Sequence, residues 1–252
     1  MVVLLALLAA CATEPVGLPP VAVTRAEDPR PLRVLFVGNS LTFYNDLPGR
    51  TAEIALRDTT LRYPDVQSVV RSGASLRQHW ALGTAQQRLE SERWDYVVLQ
   101  EGSTSILAVP ETTAVYVQRF DALAGAGGAR TVLFLTWTYG DQPLQDSVTR
   151  VYEWVAGRAG ALVAPVGVAW QLALAQQPGL PLYYADLIHP APVGTYLAAC
   201  TMFAALYRRS PVALAGLLAI GDTSVVPLDS AMALMLQTTA WTVTQPYLPT
   251  RP

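Results

Sequence analysis

From residue 32 onward, short unbroken apolar runs alternate with longer stretches of helical period. Arg33-Val34-Leu35-Phe36-Val37 is β-branched and aromatic and stops at Gly38, the signature of a buried strand. Comparable runs recur at Val66–Arg71, Tyr96–Gln100, Thr131–Trp137 and Leu162–Val168. Between them lie helix-period segments at 49–58, 76–92, 111–125 and 142–158, and two further segments follow at Pro190–Arg208 and Asp229–Thr244. Strands that alternate with helices, and that read as continuous apolar runs, predict a mostly parallel sheet of about five strands covered by helices on both faces. The pattern shows no internal repeat and no long linker after residue 32, so residues 32–252 are expected to form one three-layer α/β/α domain.

The first residues read differently. Val2–Ala10 is an unbroken apolar run that ends Leu8-Ala9-Ala10-Cys11. It is too short to span a bilayer, which takes about 20 residues, but it suits the apolar part of a secretory signal. Small residues before a cysteine resemble the bacterial lipoprotein cleavage box, which would make residues 1–11 a signal and Cys11 the lipidated residue. No Arg or Lys precedes the run, and the alternative is the start of a buried strand or helix. Residues 12–31 contain Pro15, Pro19, Pro20, Pro29 and Pro31 and read as an extended tether. The expectation is therefore an exported protein held to a membrane by an N-terminal lipid.

Composition narrows the chemistry. The chain is 52% hydrophobic and 14% charged, enough apolar surface for a substantial core. Its net charge is −2, which advertises no surface for nucleic acid. All 17 basic residues are arginine. The absence of lysine removes the phosphate-loop lysine and Schiff-base chemistry. Two histidines and two cysteines argue against a His/Cys zinc site, and no cofactor or metal is expected.

In a sheet of this kind the chemistry sits where the strands end. The first strand ends Gly38-Asn39-Ser40-Leu41-Thr42, a turn that can lift the Ser40 hydroxyl into the crevice, although such a composition also makes ordinary turns. A serine nucleophile needs a base and a group that orients the base. With two histidines the search is short. His189 lies in Asp186-Leu187-Ile188-His189-Pro190, where the carboxylate can hold one ring nitrogen while the other faces a serine. His79, in Arg77-Gln78-His79-Trp80, reads as a helix-surface residue packed beside Trp80. Asn45-Asp46, just before Pro48, reads as a helix cap, and Arg208-Arg209 as a complement to a helix dipole.

The Gly-Asn-Ser-Leu-Thr block together with Asp-x-x-His near the C-terminus resembles the SGNH (GDSL-type) serine hydrolase superfamily. The resemblance implies a flavodoxin-like sheet and a Ser40–His189–Asp186 triad working through an acyl-enzyme. It also implies an oxyanion hole built from the N–H groups of Ser40 and Gly73, the latter in Arg71-Ser72-Gly73-Ala74. Where the family has Gly-x-Asn-Asp after the third strand, this chain has Gln100-Glu101-Gly102-Ser103. Gln100, preferred over Glu101 because a carboxylate would oppose a developing oxyanion, is expected as the third donor. Gly73 can equally be a plain strand end. Asn39, Trp137 and Tyr139 are candidates for a substrate rim, although aromatic residues at a strand end belong more often to the core. The implied activity is hydrolysis of small O-acyl esters, with carbohydrate acetyl groups suggested by the glutamine variant. The alternatives are lipid or lysophospholipid esters, or a non-catalytic lipoprotein that binds a glycan or partner.

Overall fold

The computed structural model describes residues 23–214, 218–220, 224–226 and 228–249. The signal-like run, Cys11 and most of the tether lie outside the described residues. The elements follow in the order β1 (Leu32–Gly38), α1 (Ser40–Phe43), α2 (Leu47–Ala55), β2 (Pro64–Val70), α3 (Leu76–Leu82), α4 (Thr84–Ser91), β3 (Tyr96–Leu99), α5 (Pro110–Ala126), β4 (Arg130–Phe134), α6 (Gln145–Ala159), β5 (Leu162–Ala164), α7 (Val166–Gln176), α8 (Pro192–Tyr207), β6 (Leu218–Ile220), β7 (Ser224–Val226) and α9 (Ser230–Thr244). Strands β1 to β5 form one parallel sheet in the order β2-β1-β3-β4-β5. This is the expected five-stranded, doubly covered arrangement.

Alternation along β1 shows how the layers form. Leu32, Val34 and Phe36 join a core with residues of α2, α7, α8 and α9, while Leu35 and Val37 join one with residues of α3, α4, α5 and α6. Successive side chains of a strand point to opposite faces, so a run apolar at every position is what a sheet buried on both sides requires. Helix α8 is buried from Val193 to Tyr207, including the free thiol of Cys200, because α2, α7 and α9 enclose it. A helix that is apolar all round belongs at such a position. Among the described residues no helix is long and apolar enough to cross a membrane.

Three expectations change. The apolar run Leu162–Val168 is not one strand: β5 ends at Ala164, and Val166 begins helix α7. Pro165 intervenes, and Val166-Gly167-Val168 is apolar because the start of α7 is buried, where apolar content masks helical period. The 76–92 segment is two helices, broken at Gly83 in the left-handed region (φ 78°). Residues 23–31 belong to the domain and not to a tether. Val23 N–H donates to the Tyr207 carbonyl (3.0 Å), Arg25 N–H to that of Thr60 (2.8 Å), and the Arg62 guanidinium binds the carbonyls of Arg30 (2.9 Å) and Pro31 (2.7 Å) as well as Asp95. The Arg208-Arg209 pair also does more than face a dipole, since Arg209 pairs with Asp58 at 3.3 Å and Arg208 reaches the Tyr96 hydroxyl at 3.4 Å.

Helix α7 approaches the end of β4 so closely that only glycine fits at its first turn. A Cβ on Gly167 would lie 2.2 Å from the Thr136 carbonyl oxygen, and the Gly167 N–H already donates to the Leu135 carbonyl at 2.8 Å. Gly167→Ala should therefore lower stability by about 2–3 kcal/mol, the cost of overpacking against backbone, read as a shift in the urea midpoint at constant m-value. An unchanged midpoint would show that α7 can slide outward without cost.

Candidate active site

The five parallel strands end level with one another, with Gly38 opposite Val70, Val37 opposite Leu99, and Leu99 opposite Leu133. The chain leaves β1 for β2 on one side and reaches β3 on the other, so the crevice at the carboxyl end of β1 is the topological switch point of the sheet. Ser40 stands there, at the first position of α1, with Asn39 as its cap: the Asn39 Oδ1 accepts the Leu41 N–H at 3.1 Å. The Ser40 N–H is thus among the first amides of a helix, which have no partner inside it.

His189 comes from the loop before α8. Its Nε2 lies 2.9 Å from the Ser40 Oγ, and its Nδ1 lies 2.6 Å from Asp186 Oδ2. The other oxygen of Asp186 accepts the N–H groups of Ile188 and His189, both at 2.9 Å. The imidazole contact, followed by these two amides, holds the Asp186 carboxyl down at about 2. A carboxylate that stays ionised beside Nδ1 fixes the N–H there and leaves the Nε2 lone pair towards Ser40.

Three backbone carbonyls of the His189 loop are pinned from outside. The Trp137 indole donates to the Ile188 carbonyl (3.0 Å), the Asn45 amide to that of Pro190 (2.8 Å), and the Gly140 N–H to that of Leu187 (2.8 Å). Leu187 is held in the left-handed region (φ 56°), a conformation that a leucine occupies only when its surroundings impose it.

The loop after β2 is drawn against the Ser40 turn. Arg71 N–H donates to the Gly38 carbonyl (3.1 Å), and Asn39 Nδ2 donates to the Ala74 carbonyl (3.1 Å). Between these ties Gly73 has φ +66° and open space where a Cβ would stand, and its N–H meets no acceptor among the described residues. Gly73 also lines an open concavity of about 340 Å³ with Arg71, Gln78 and Leu82.

Several sequence expectations are corrected. Gln100 does not present a donor to the crevice. It is fully buried, its Oε1 accepts the Asn39 N–H (2.8 Å) and the Thr42 hydroxyl (2.9 Å), and its Nε2 donates to the Glu101 carbonyl (2.5 Å). The end of β1 needed an acceptor beneath it, and the amide oxygen supplies one. Glu101 is buried too, accepting the N–H groups of Leu76 (3.1 Å) and Gly102 (2.8 Å), and burial raises its carboxyl pKa. Asn39 is a buried bracket and not a rim residue. Trp137 is buried as well, stacked on Trp170 at 4.1 Å. Tyr139 is half-buried beside a separate concavity of about 350 Å³, lined also by Gly140, Trp170 and Tyr183.

His79 is not on a helix surface. It is 1% exposed, and its Nε2 lies 2.8 Å from the Gly38 carbonyl. A carbonyl can only accept, so Nε2 carries the proton, and burial lowers the pKa and keeps the ring neutral. Its spacing from Leu76, one helical turn away on the same buried face, is the signal that could have placed it inside. Sequence reading also passed over Tyr44, whose ring stacks on His189, and read Asn45 only as a cap. The cap of α2 is Asp46, which accepts the Gly49 N–H at 3.2 Å.

No protein-family model matches the chain, and no curated protein does. Solved structures do. A protein from Slackia heliotrinireducens described as an SGNH hydrolase is 31% identical, with a TM-score of 0.60, over 70% of this chain and all of that one. A DUF4886 family protein from Bacteroides uniformis superposes with a TM-score of 0.66 at 17% identity, over 84% of this chain and 94% of that one. Axe2, an acetyl-xylooligosaccharide esterase from Geobacillus, shares the fold at 16% identity and a TM-score of 0.53, over 70% of this chain and 94% of its own. Identity at the level of the Slackia protein, along that protein's full length, makes this chain a member of the SGNH hydrolases.

Proposed function

We propose that the chain is a serine esterase that hydrolyses small O-acyl esters through an acyl-enzyme. The observation that carries this reading is the chain of contacts Ser40 Oγ–His189 Nε2–His189 Nδ1–Asp186, at 2.9 and 2.6 Å, standing at the switch point of the sheet. Ser40 Oγ attacks the ester carbonyl as His189 Nε2 takes its proton, and Asp186 steadies the imidazolium that forms. The carbonyl oxygen becomes an oxyanion facing the N–H groups of Ser40 and Gly73, two backbone donors that cost no reorganisation when charge develops. His189 then returns the proton to the departing alcohol. A water enters, gives its proton to His189, and releases the acid from Ser40. A carbohydrate acetyl group is the substrate class favoured, in line with the acetyl-xylooligosaccharide esterase among the fold neighbours. The signal-like N-terminus with Cys11 adds that the enzyme works outside the cytoplasm on a lipid anchor.

Hydrolysis of p-nitrophenyl acetate, butyrate and octanoate tests this directly. Turnover should be highest on acetate and should fall by about 10⁴–10⁶-fold in Ser40→Ala and in His189→Ala. Activity that survives in Ser40→Ala would remove the serine from the mechanism, and a preference for octanoate would move the substrate class to lipid esters.

The pH dependence follows from Asp186. Its carboxyl is held at about 2, so its contribution to the loop, present above the ordinary value of 3.8, fades only as the pH falls towards 2. Across the range in which an imidazole takes up its proton, Asp186 stays ionised. The acid limb of log kcat/KM should therefore reach a limiting slope of one, and not two, down to about pH 4. A slope of two would show that Asp186 titrates with the base.

A further inference from the structure

We infer that Tyr44 is a positioning residue that also favours the charged form of the base, an inference that rests on the esterase reading above. The Tyr44 ring lies flat against the His189 imidazole, with centroids 4.0 Å apart and planes 13° from parallel. The residue follows directly after α1, so one five-residue segment delivers both Ser40 and the ring on which His189 rests. Phe43 stacks on Tyr44 at 5.8 Å, and Tyr184 meets it edge-on at 6.1 Å.

Asn45 locks the arrangement. It adopts φ 51°, and its amide donates to the Pro190 carbonyl and the Thr195 hydroxyl, each at 2.8 Å, while accepting the Tyr184 hydroxyl at 3.2 Å. Tyr44 is therefore tied through its chain neighbour to both ends of the loop that holds His189.

A phenol ring has a negative face. It attracts a cation lying over it and offers a neutral ring only dispersion and packing. A general base at His189 is neutral before it takes the serine proton and cationic at each tetrahedral stage, so the stack is stronger when the barrier is being crossed than before it. An interaction of that kind raises kcat and leaves substrate binding alone. The groups facing the imidazole are Asp186 at Nδ1 from its own loop, Ser40 at Nε2 from α1, and Tyr44 over the ring, with Tyr184 behind Tyr44. Asp186 is its ion-pair partner among the described residues. No second carboxylate there duplicates what the ring contributes.

The test compares Tyr44→Leu with Tyr44→Phe in the full chain. The leucine keeps apolar bulk and loses the π face, and the phenylalanine keeps both the bulk and the face. With p-nitrophenyl acetate, Tyr44→Leu should lose about tenfold in kcat, within the 2- to 30-fold that one cation–π contact supports, with KM changed less than about twofold. Its acid limb should lie at lower pH than the wild type's, because the protonated base has lost a stabilising partner. Tyr44→Phe should keep kcat within about threefold and leave the acid limb in place. Equal losses in both variants, or an acid limb that does not move in Tyr44→Leu, would overturn the inference.

A second readout needs no turnover. With two histidines in the chain, the His189 ring proton can be followed by NMR in Ser40→Ala, assigned as the resonance lost in His189→Gln. Adding Tyr44→Leu should move its titration to lower pH, and adding Tyr44→Phe should not. Identical titrations would overturn the stack even if the esterase reading stands, and a shift in an inert protein would uphold the stack while that reading fails.

Discussion

The site depends on the need to pair two buried backbone groups at the carboxyl end of β1. Strand β1 lies inside the sheet, and it stops where both Gly38 and Asn39 are buried. An unpaired polar group at such a place costs about 1–3 kcal/mol. Each partner that meets the demand belongs to a different element. The Gly38 carbonyl accepts from Arg71 after β2 and from His79 in α3, and the Asn39 N–H donates to Gln100 after β3. Satisfying one strand end therefore gathers the loops of three strands and one helix around Ser40. The oxyanion candidate Gly73 sits two residues beyond one of those partners, so its place is set by the same bonds.

The second half of the site is held by a different device. The Asp186–His189 loop has no regular structure, and its shape comes from carbonyls captured by Trp137, Asn45 and Gly140. Trp137 is itself fixed by stacking on Trp170 of α7. Because α7 seats against the end of β4 through Gly167, the position of the base is linked to how closely that helix packs. The two halves meet at Ser40 and His189, and the contact between them is polar and only partly buried. Since Asn45 and Tyr44, a few residues beyond Ser40, bind the His189 loop, the two halves also brace one another.

The sheet, its order of strands and helices, and the contact of Ser40 with His189 and Asp186 were legible because each leaves a local trace: continuous apolar runs, a glycine at a strand end, a carboxylate three residues before a histidine. What was illegible depended on contacts distant in sequence. The polar residues Gln100 and His79 look solvent-facing until β3 and α3 are seen to pack on the end of β1, 61 and 41 residues away in sequence. Trp137 and Asn39 looked like a rim because they sit at strand ends, yet the loops folded over them. The run at Leu162–Val168 misled for the opposite reason, since a helix buried on the sheet can be as continuously apolar as a strand.

Gln100 shows why a motif's variation is best read through geometry. At the end of β3 an amide side chain can serve the crevice through its nitrogen or the neighbouring strand through its oxygen. Here the oxygen is committed to the Asn39 N–H and the Thr42 hydroxyl, and the nitrogen to the backbone of the next residue, so the side chain is spent on building the Ser40 turn. On the esterase reading proposed above, an oxyanion would face the backbone N–H groups of Ser40 and Gly73, and Gln100 would not contribute. On that reading the imidazolium is the other participant whose charge grows in the same step, and Asp186 and the face of Tyr44 lie against that ring. On the proposed mechanism the oxyanion donors and the stack act on the same barrier, since oxyanion and imidazolium would form together as one proton leaves Ser40.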